Sequence, residues 1–553
     1  MPIVALSSRI AWLVGIALFL TTVFVTPSNT LDPINVSKLW ILTIFGFAVL
    51  ALLMSQPKLL FSKENRLITY VSLLLPISMV ITLLTSDAPL TQQLFGTYGR
   101  NTGFLNYFCL SVIFLGVAIA SNKSFKNYFL YEVIGTLLVN GSYGFIQAIG
   151  KDWANWISSY SPVVGTLGNP DFISAFLGFI SSFTIGYLFS RESSIRTKVI
   201  LGISLLVIVF VIFKTQAQQG LIVFALVFAI VFYFELRNYI NSKIIQVSYL
   251  VLFWITSILS IAGSLQKGPL TELLYRSSVT QRGDYWHAGF KMLWSQPFTG
   301  VGLDSYGDWY RFFRSSAAAE RFNGSVVSNS AHNVFIDIAA TSGLIAIIAY
   351  FTIILLALIA SWKIFRSNSK LDPFFISVFA AWIGYLAQST ISINNIGLGI
   401  WGWVFPGLII AMSRWQDEEK IEKNIKKSAQ KKIDFSGMFM TGGLVAGFAI
   451  GFIPFNADAS FRHALETGIP EKIYSAASKW PTDSSRMLYA AKIFESNKLN
   501  NKAESIVRAS LKQNPRSFET WQFLYGLPTT SGNEKAEILI KLKSLDPNNK
   551  NVK

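Results

Sequence analysis

His332 is one of three histidines in a chain of 553 residues, and it opens an apolar run at the end of the only long hydrophilic stretch between such runs. An imidazole at that water boundary, with an ordinary pKa of about 6.5, can accept a proton at neutral pH, as a general base must. The plain alternative is a polar cap on the helix that follows. Two arginines weigh against it: Arg282, earlier in the same stretch, and Arg100, in a glycine-rich connection that the charge pattern assigns to the same side. His287, beside Trp286, reads as a surface residue, and His463, in the tail, as a structural one.

The elements that must position these side chains belong to a membrane. The chain is 52% hydrophobic and 14% charged, too apolar for a soluble globular domain. Runs long enough to cross hydrocarbon as helices recur near 10–26, 38–54, 66–85, 103–120, 126–149, 171–189, 197–213, 218–237, 244–263, 333–361, 373–390, 398–413 and 436–453. The expected fold class is all-α, a polytopic membrane protein of about thirteen transmembrane helices. The first run lacks a small-residue cleavage site, so it reads as a retained span. Cys109, the lone cysteine, rules out a disulfide framework or a thiolate metal site within the chain.

Charge orients the spans. Lys58, Lys63 and Arg66, then Lys123 and Lys126, then Arg191, Arg196 and Lys198, then Arg237 and Lys243, then Lys363, Arg366 and Lys370 all follow even-numbered runs. By the positive-inside rule the N-terminus is cytoplasmic, and a multi-pass location in the cytoplasmic (inner) membrane is expected. The formal net charge of +17 is thus mainly topological. No base-stacking or groove-reading motif accompanies it, so no nucleic-acid partner is expected. The expected domains are a polytopic core over 1–413 with an extracytoplasmic loop at 264–331, a basic cytoplasmic linker at 414–435, a final span at 436–453 and an extracytoplasmic tail at 455–553. In the linker, Lys420, Lys423, Lys426, Lys427 and Lys431 suit anionic headgroups. In the tail, Pro481, Pro515 and Pro547 are spaced 34 and 32 residues apart, near the tetratricopeptide period. Ala490, Ala491, Ala503 and Ala509 suit the close helix approach of such repeats, which normally bind a protein; a protein partner is therefore expected through 455–553. An irregular helical tail is the plain alternative.

Most of the unusual polar residues fall in connections on one side. These are Tyr98-Gly99-Arg100-Asn101-Thr102-Gly103; Gly165-Thr166-Leu167-Gly168-Asn169-Pro170, whose proline opens a helix with free backbone N–H groups; and Gln216-Ala217-Gln218-Gln219-Gly220. The long loop adds Arg276, Arg282-Gly283-Asp284-Tyr285-Trp286, Pro297-Phe298-Thr299-Gly300-Val301-Gly302-Leu303, Arg311, Arg314 and Ser330-Ala331-His332-Asn333. Singly, each has an ordinary reading. Arg100 alone would be a snorkelling side chain. Gly300-Val301-Gly302 has no preceding strand and reads as a turn, and Arg276, Arg311 and Arg314 as solvated loop charges. Their convergence on one face carries more weight than any one of them.

The order of these motifs, Arg282 to Trp286, Pro297 to Gly302, then Ala331-His332-Asn333 before a helix containing Thr341-Ser342-Gly343-Leu344, resembles the signature of the O-antigen ligase and polymerase superfamily. The glycine-rich segments 98–103 and 165–170 resemble it too, and the likeness spans roughly 65–413. It leaves ligases, repeat-unit polymerases of the Wzy type and protein O-oligosaccharyltransferases unseparated. The chain departs at one point: many relatives carry Ser-Arg-Gly at the head of the eighth span, where Gln218-Gln219-Gly220 stands here.

The resemblance implies a GT-C-like membrane glycosyltransferase that moves a glycan from a polyprenyl diphosphate carrier to a glycan, lipid or protein acceptor. Such chemistry needs cations for the departing diphosphate, which arginine supplies in planar two-pronged contacts, and a base for the acceptor proton. The catalytic residues implied are His332 and Arg282; Arg100, Asn169, Gln219, Arg276, Arg311 and Asn333 are implied donor contacts. No cofactor is expected, and no external Asp-x-Asp stands ready for a metal. Because a helix head disfavours a cation, activity is expected to fall as His332 gains a proton below neutrality. A polyprenyl-glycan flippase would instead spread polar residues through the membrane depth in pseudo-symmetric halves, and a scaffold role for the tail would not require thirteen spans.

Overall fold

The structure, a computed structural model, describes residues 3–154, 156, 160–321, 326–368, 370–415 and 436–550. Ten helices among them are at least 18 residues long and apolar enough to cross a membrane. In chain order these and their neighbours are α1 (Ile3–Val23), α2 (Asn35–Met54), α3 (Arg66–Thr85), the short α4 (Leu90–Phe95) and α5 (Phe104–Ala120). Next come α6 (Phe125–Ala148), α7 (Pro170–Phe189), α8 (Ile195–Lys214), α9 (Gln218–Tyr239) and α10 (Lys243–Ser264). The long loop holds α11 (Ser277–Ser295) and α12 (Tyr306–Phe313); then α13 (Val334–Ser367), α14 (Pro373–Ser389), α15 (Ile396–Met412) and α16 (Ser436–Thr467) follow. The tail is α17 (Pro470–Ala477), α18 (Ser484–Ser496), α19 (Asn500–Gln513), α20 (Phe518–Gly526) and α21 (Gly532–Leu545). Three further apolar helices, α5, α14 and α15, have 17 residues each, at the lower edge of what can span. The ten and the three coincide with the thirteen expected runs, and the described residues form an all-α, polytopic membrane protein.

The span ends are set by local signals. Asn169, Asp372 and Asn395 cap α7, α14 and α15 with their side chains, and Pro170 and Pro373 occupy first-turn positions where a missing N–H costs nothing. The last span packs along α2 through Gly443, Gly447 and Gly451. A Cβ at the first two would lie 2.5 Å from the α2 carbonyls of Phe47 and Thr43, so only glycine permits this approach. The basic linker expected at 414–435 lies, from 416 on, outside the described residues.

Two features go beyond the sequence reading. The helix that carries the final apolar run continues past 453: α16 runs unbroken to Thr467, so the tail begins as an extension of a membrane helix. The tail is also not a free appendage. Its own core, built on Phe461, Met487, Ala490, Ala491, Phe494, Ile506 and Ile538, sits on the long loop and on the α4–α5 connection. Arg314, which reads as a solvated loop charge, is fully buried against Asp546, with Nε donating to Oδ1 at 3.0 Å. Arg311 pairs with Glu519 at 2.8 Å and lies over the Phe518 ring; Asn514 donates to Asp308 at 3.0 Å. Loop and tail therefore share one side of the bundle.

Breaking a buried ion pair by removing one partner costs about 3–5 kcal/mol, whereas an apolar pair of similar volume is often neutral. Asp546→Ala should thus lower the melting temperature of the protein in detergent, and Arg314→Met combined with Asp546→Leu should recover most of the loss. A thermal-shift series on the three variants checks this, and an unchanged melting temperature for Asp546→Ala would mean that the tail does not brace the loop.

Candidate functional site

The site is built around the head of α13, which is broken by design. Gly343 has φ 79°, splitting the helix after Ser342, and the segment Pro297–Gly302 seals the break. Val301 N donates to Ala340 O at 2.9 Å, Gly302 N to Thr341 O at 3.2 Å, and Leu344 N to Pro297 O at 2.7 Å. The two motif stretches 297–302 and 341–344 are therefore each other's backbone partners, which satisfies the backbone groups that the break in the helix frees. Gly300 and Gly302 serve this contact, in keeping with their reading as a turn.

At the head, Asn333 caps α13: its Oδ1 accepts from Phe335 N and Ile336 N at 3.0 Å, and its Nδ2 donates to Thr390 O at 3.0 Å. Asp337, one turn in, accepts from Ala331 N at 2.8 Å and from Ser330 Oγ at 2.6 Å; Ser330 Oγ in turn accepts from His332 N at 3.1 Å. This tight turn holds His332 in the left-handed region at φ 49°, a conformation uncommon outside glycine. The half-buried ring stacks on Tyr285 with centroids 5.3 Å apart. Neither ring nitrogen is hydrogen-bonded by a described residue, so the turn and the stack orient it.

Arg100 lies buried between two carboxylates, 3.5 Å from Asp304 and 3.7 Å from Asp337, and donates to the Asn329 carbonyl. Asp304 also accepts from Thr97 N at 2.8 Å. Three separate stretches of chain thus meet on one guanidinium. Arg282, on α11, makes no direct ion pair among the described residues. Its Nε, like that of Arg100, is buried without a hydrogen-bond partner among the described residues, and the charges it faces are Asp171, at the head of α7, and the phenol of Tyr285. Burial lowers its pKa, and Asp171 opposes that shift. Asp284, two residues on, is engaged elsewhere, 2.9 Å from Arg321.

The protonation of His332 follows from these neighbours. Burial, then the positive charges of Arg282 and Arg100, push its pKa down to about 4. The neutral form expected of a base has a different physical origin from the helix head that the sequence suggests, and it extends well into acid.

The remaining candidates divide. Asn169 caps α7, accepting from Asp171 N at 2.8 Å, next to the carboxylate that Arg282 faces. Gln219 is buried and donates to Gln388 at 3.1 Å. Arg276 stands at the N-cap of α11 beside Gln218; with the amide oxygen turned toward it, Gln218 accepts from Nε and Nη2 at 3.1 and 3.0 Å. Arg311 turns away to the tail. Reading the sequence passed over Asp337, Asp304, Asp171 and the role of Tyr285. Asp337 did leave a signal, an acid one turn inside an apolar run, where a charge must be paired from within.

Residues 172–351 match the family model described as O-antigen ligase, a segment that runs from α7 into α13 and contains Arg282, the 297–302 seal and His332. No curated protein is significantly similar to the chain. The matched segment, carried on this many-spanned helical bundle, supports the resemblance to the O-antigen ligase and polymerase superfamily.

Proposed function

We propose that the protein is a ligase-type glycosyltransferase that moves a glycan from a polyprenyl diphosphate carrier to an acceptor hydroxyl at the outer face of the cytoplasmic membrane. One observation carries the reading: a neutral His332 shares the α13 head with Arg282, a guanidinium that makes no direct ion pair among the described residues. The acceptor oxygen attacks the anomeric carbon, and the bond from that carbon to the diphosphate oxygen breaks, its electron pair leaving with the diphosphate. The acceptor proton passes to the His332 imidazole. Arg282 faces the negative charge that gathers on the leaving group, a contact worth most in a site shielded from water. Arg276, at the head of α9, supplies a second cation toward the donor; Asn169 and Asn333 fix the helix heads, while Arg100 and Gln219 hold the frame. Guanidinium charge suffices for this reading, which calls on no metal or cofactor.

The outward orientation is supported by the basic loops on the opposite side of the bundle from the long loop and tail. The tail, with α18–α19 closing before Pro515 and α20–α21 before Pro547, is read as two tetratricopeptide-like helix pairs. In a Cys109→Ser background, Ser531→Cys should react with an impermeant thiol reagent on spheroplasts. Labelling only after lysis would put the tail in the cytoplasm.

In a reconstituted assay with lipid-linked donor, His332→Ala should lose about 10²–10⁴-fold in turnover, the usual worth of a general base, while donor binding persists. Arg282→Lys should also be poorly active, because one ammonium cannot reproduce a planar two-pronged contact. Near-normal turnover by His332→Ala would reduce this residue to a helix cap. In cells lacking the protein, accumulation of lipid-linked polymer marks a ligase, and accumulation of single lipid-linked repeats marks a polymerase.

The pH profile is a separate test. The base works when deprotonated, and its pKa is lowered, so kcat/KM should stay level from neutrality down to about pH 5 and fall only as pH nears about 4. A bound diphosphate favours the imidazolium, so the limb in kcat should lie at higher pH than the limb in kcat/KM. An acid limb in kcat/KM near pH 6.5 that disappears in His332→Ala would show that the free site does not hold the imidazole neutral.

A further inference from the structure

The helix that carries Arg282 and Tyr285 has one long face that no described residue covers. The inner face of α11 is fixed by Tyr285, Ala288, Gly289, Met292 and Leu293; at Gly289 a Cβ would come within 2.5 Å of Ile336 on α13. The outer face changes character along its length. Gly283 and His287 are exposed in the first half, whereas the second half exposes Phe290 at 48% and Trp294 at 70%. Phe298, one further step of four residues, is exposed at 67%. Lys291 is exposed beside this aromatic edge.

The two ends of α11 establish its depth. After its C-terminal end, the Thr299 carbonyl accepts from Thr82 Oγ1 at 2.7 Å, and Thr82 lies in the last turn of the membrane span α3. The neighbouring Pro297 carbonyl accepts from Leu344 at the break in α13, another span. Phe298 is therefore level with the end of α3, a membrane span whose Ile77, Ile81 and Leu84 are exposed at 54%, 43% and 76%. At the other end, Arg276 meets Gln218 at the head of span α9. A helix tied to span ends at both termini lies along the membrane surface, over a length of about 28 Å.

We propose that α11 is an interfacial helix whose Phe290–Trp294–Phe298 edge is immersed in the boundary between headgroups and acyl chains, so that the bilayer sets the depth of Arg282 and Tyr285. Aromatic rings prefer that boundary, and helices with an apolar edge and a polar upper face lie in it. Lys291 extends its ammonium back to the phosphates while its stem stays with the rings. The lipid-facing side of α3 continues the edge without a gap in depth, which favours lipid over a protein partner. The inference stands on the membrane location alone and does not depend on the reaction proposed above.

Single cysteines at His287, Phe290, Trp294 and Phe298, in the Cys109→Ser background, would be spin-labelled in phosphatidylethanolamine–phosphatidylglycerol nanodiscs. Power saturation would then be measured with oxygen, which concentrates in lipid, and with a water-soluble nickel chelate. Labels at 290, 294 and 298 should favour oxygen, and the label at 287 should favour nickel. Ser295→Cys, which leaves all three aromatic residues in place, should also favour oxygen and guards against a helix displaced by the aromatic substitutions. Nickel preference at all five positions would place the face in water and overturn the proposal. Shielding from both reagents at 290, 294 and 298 would overturn it equally, by showing that protein, such as a second copy of the chain, covers the edge.

Discussion

A carboxylate one turn inside an apolar helix must be satisfied from within the protein, and Asp337 is the group on which the site depends. Removing a charge from water costs several kcal/mol unless good geometry repays it. Asp337 is repaid by Ser330 Oγ, by Ala331 N and by the Arg100 guanidinium. The first two bonds shape the turn that presents His332. The third draws in the 97–101 loop, and with it Asp304 and the Asn329 carbonyl. Satisfying one buried acid thereby gathers three stretches far apart in sequence around a single imidazole.

The electrostatics of that neighbourhood distinguish two arginines of the same type. Arg100 is neutralised by two carboxylates and fully enclosed, so its charge organises the protein. Arg282 has Asp171 within electrostatic reach but no direct ion pair among the described residues. His332 feels both charges, which together with burial hold its imidazole neutral well into acid.

The spans were legible because hydrocarbon makes the same demand of every one of them: an apolar run of sufficient length, punctuated by Asn169-Pro170, Asp372-Pro373 or Asn395. His332, and the company of Arg282 and Arg100, were legible from their placement at one boundary. What could not be read was which loop arginine faces what. Arg282, Arg311 and Arg314 lie within one loop, yet Arg314 is buried on Asp546 and Arg311 on Glu519 and Asp546, partners more than 200 residues away. Local pattern holds no record of such distant pairings. The extent of α16 was missed for a related reason. Its helix outlasts its hydrophobicity, and Asp458, beyond the apolar run, is buried by accepting from Leu31 N and Asp32 N of another connection.

The head of α9 shows how a departure from the family pattern can be absorbed. Where relatives of this resemblance carry an arginine, Gln218 and Gln219 supply amides, and Gln219 is turned inward to Gln388. A cation nonetheless stands at this head, because Arg276 leaves the long loop and packs its guanidinium on Gln218. An amide can accept from a guanidinium without cancelling its charge, whereas a carboxylate there would neutralise it. On the proposed reading, the donor therefore meets a positive group in the same region, delivered by the N-terminus of α11 and not by the span. Both cations assigned to the diphosphate then belong to one helix, with Arg276 at its cap and Arg282 in its second turn, so their spacing is set by helical geometry and not by the packing of separate spans.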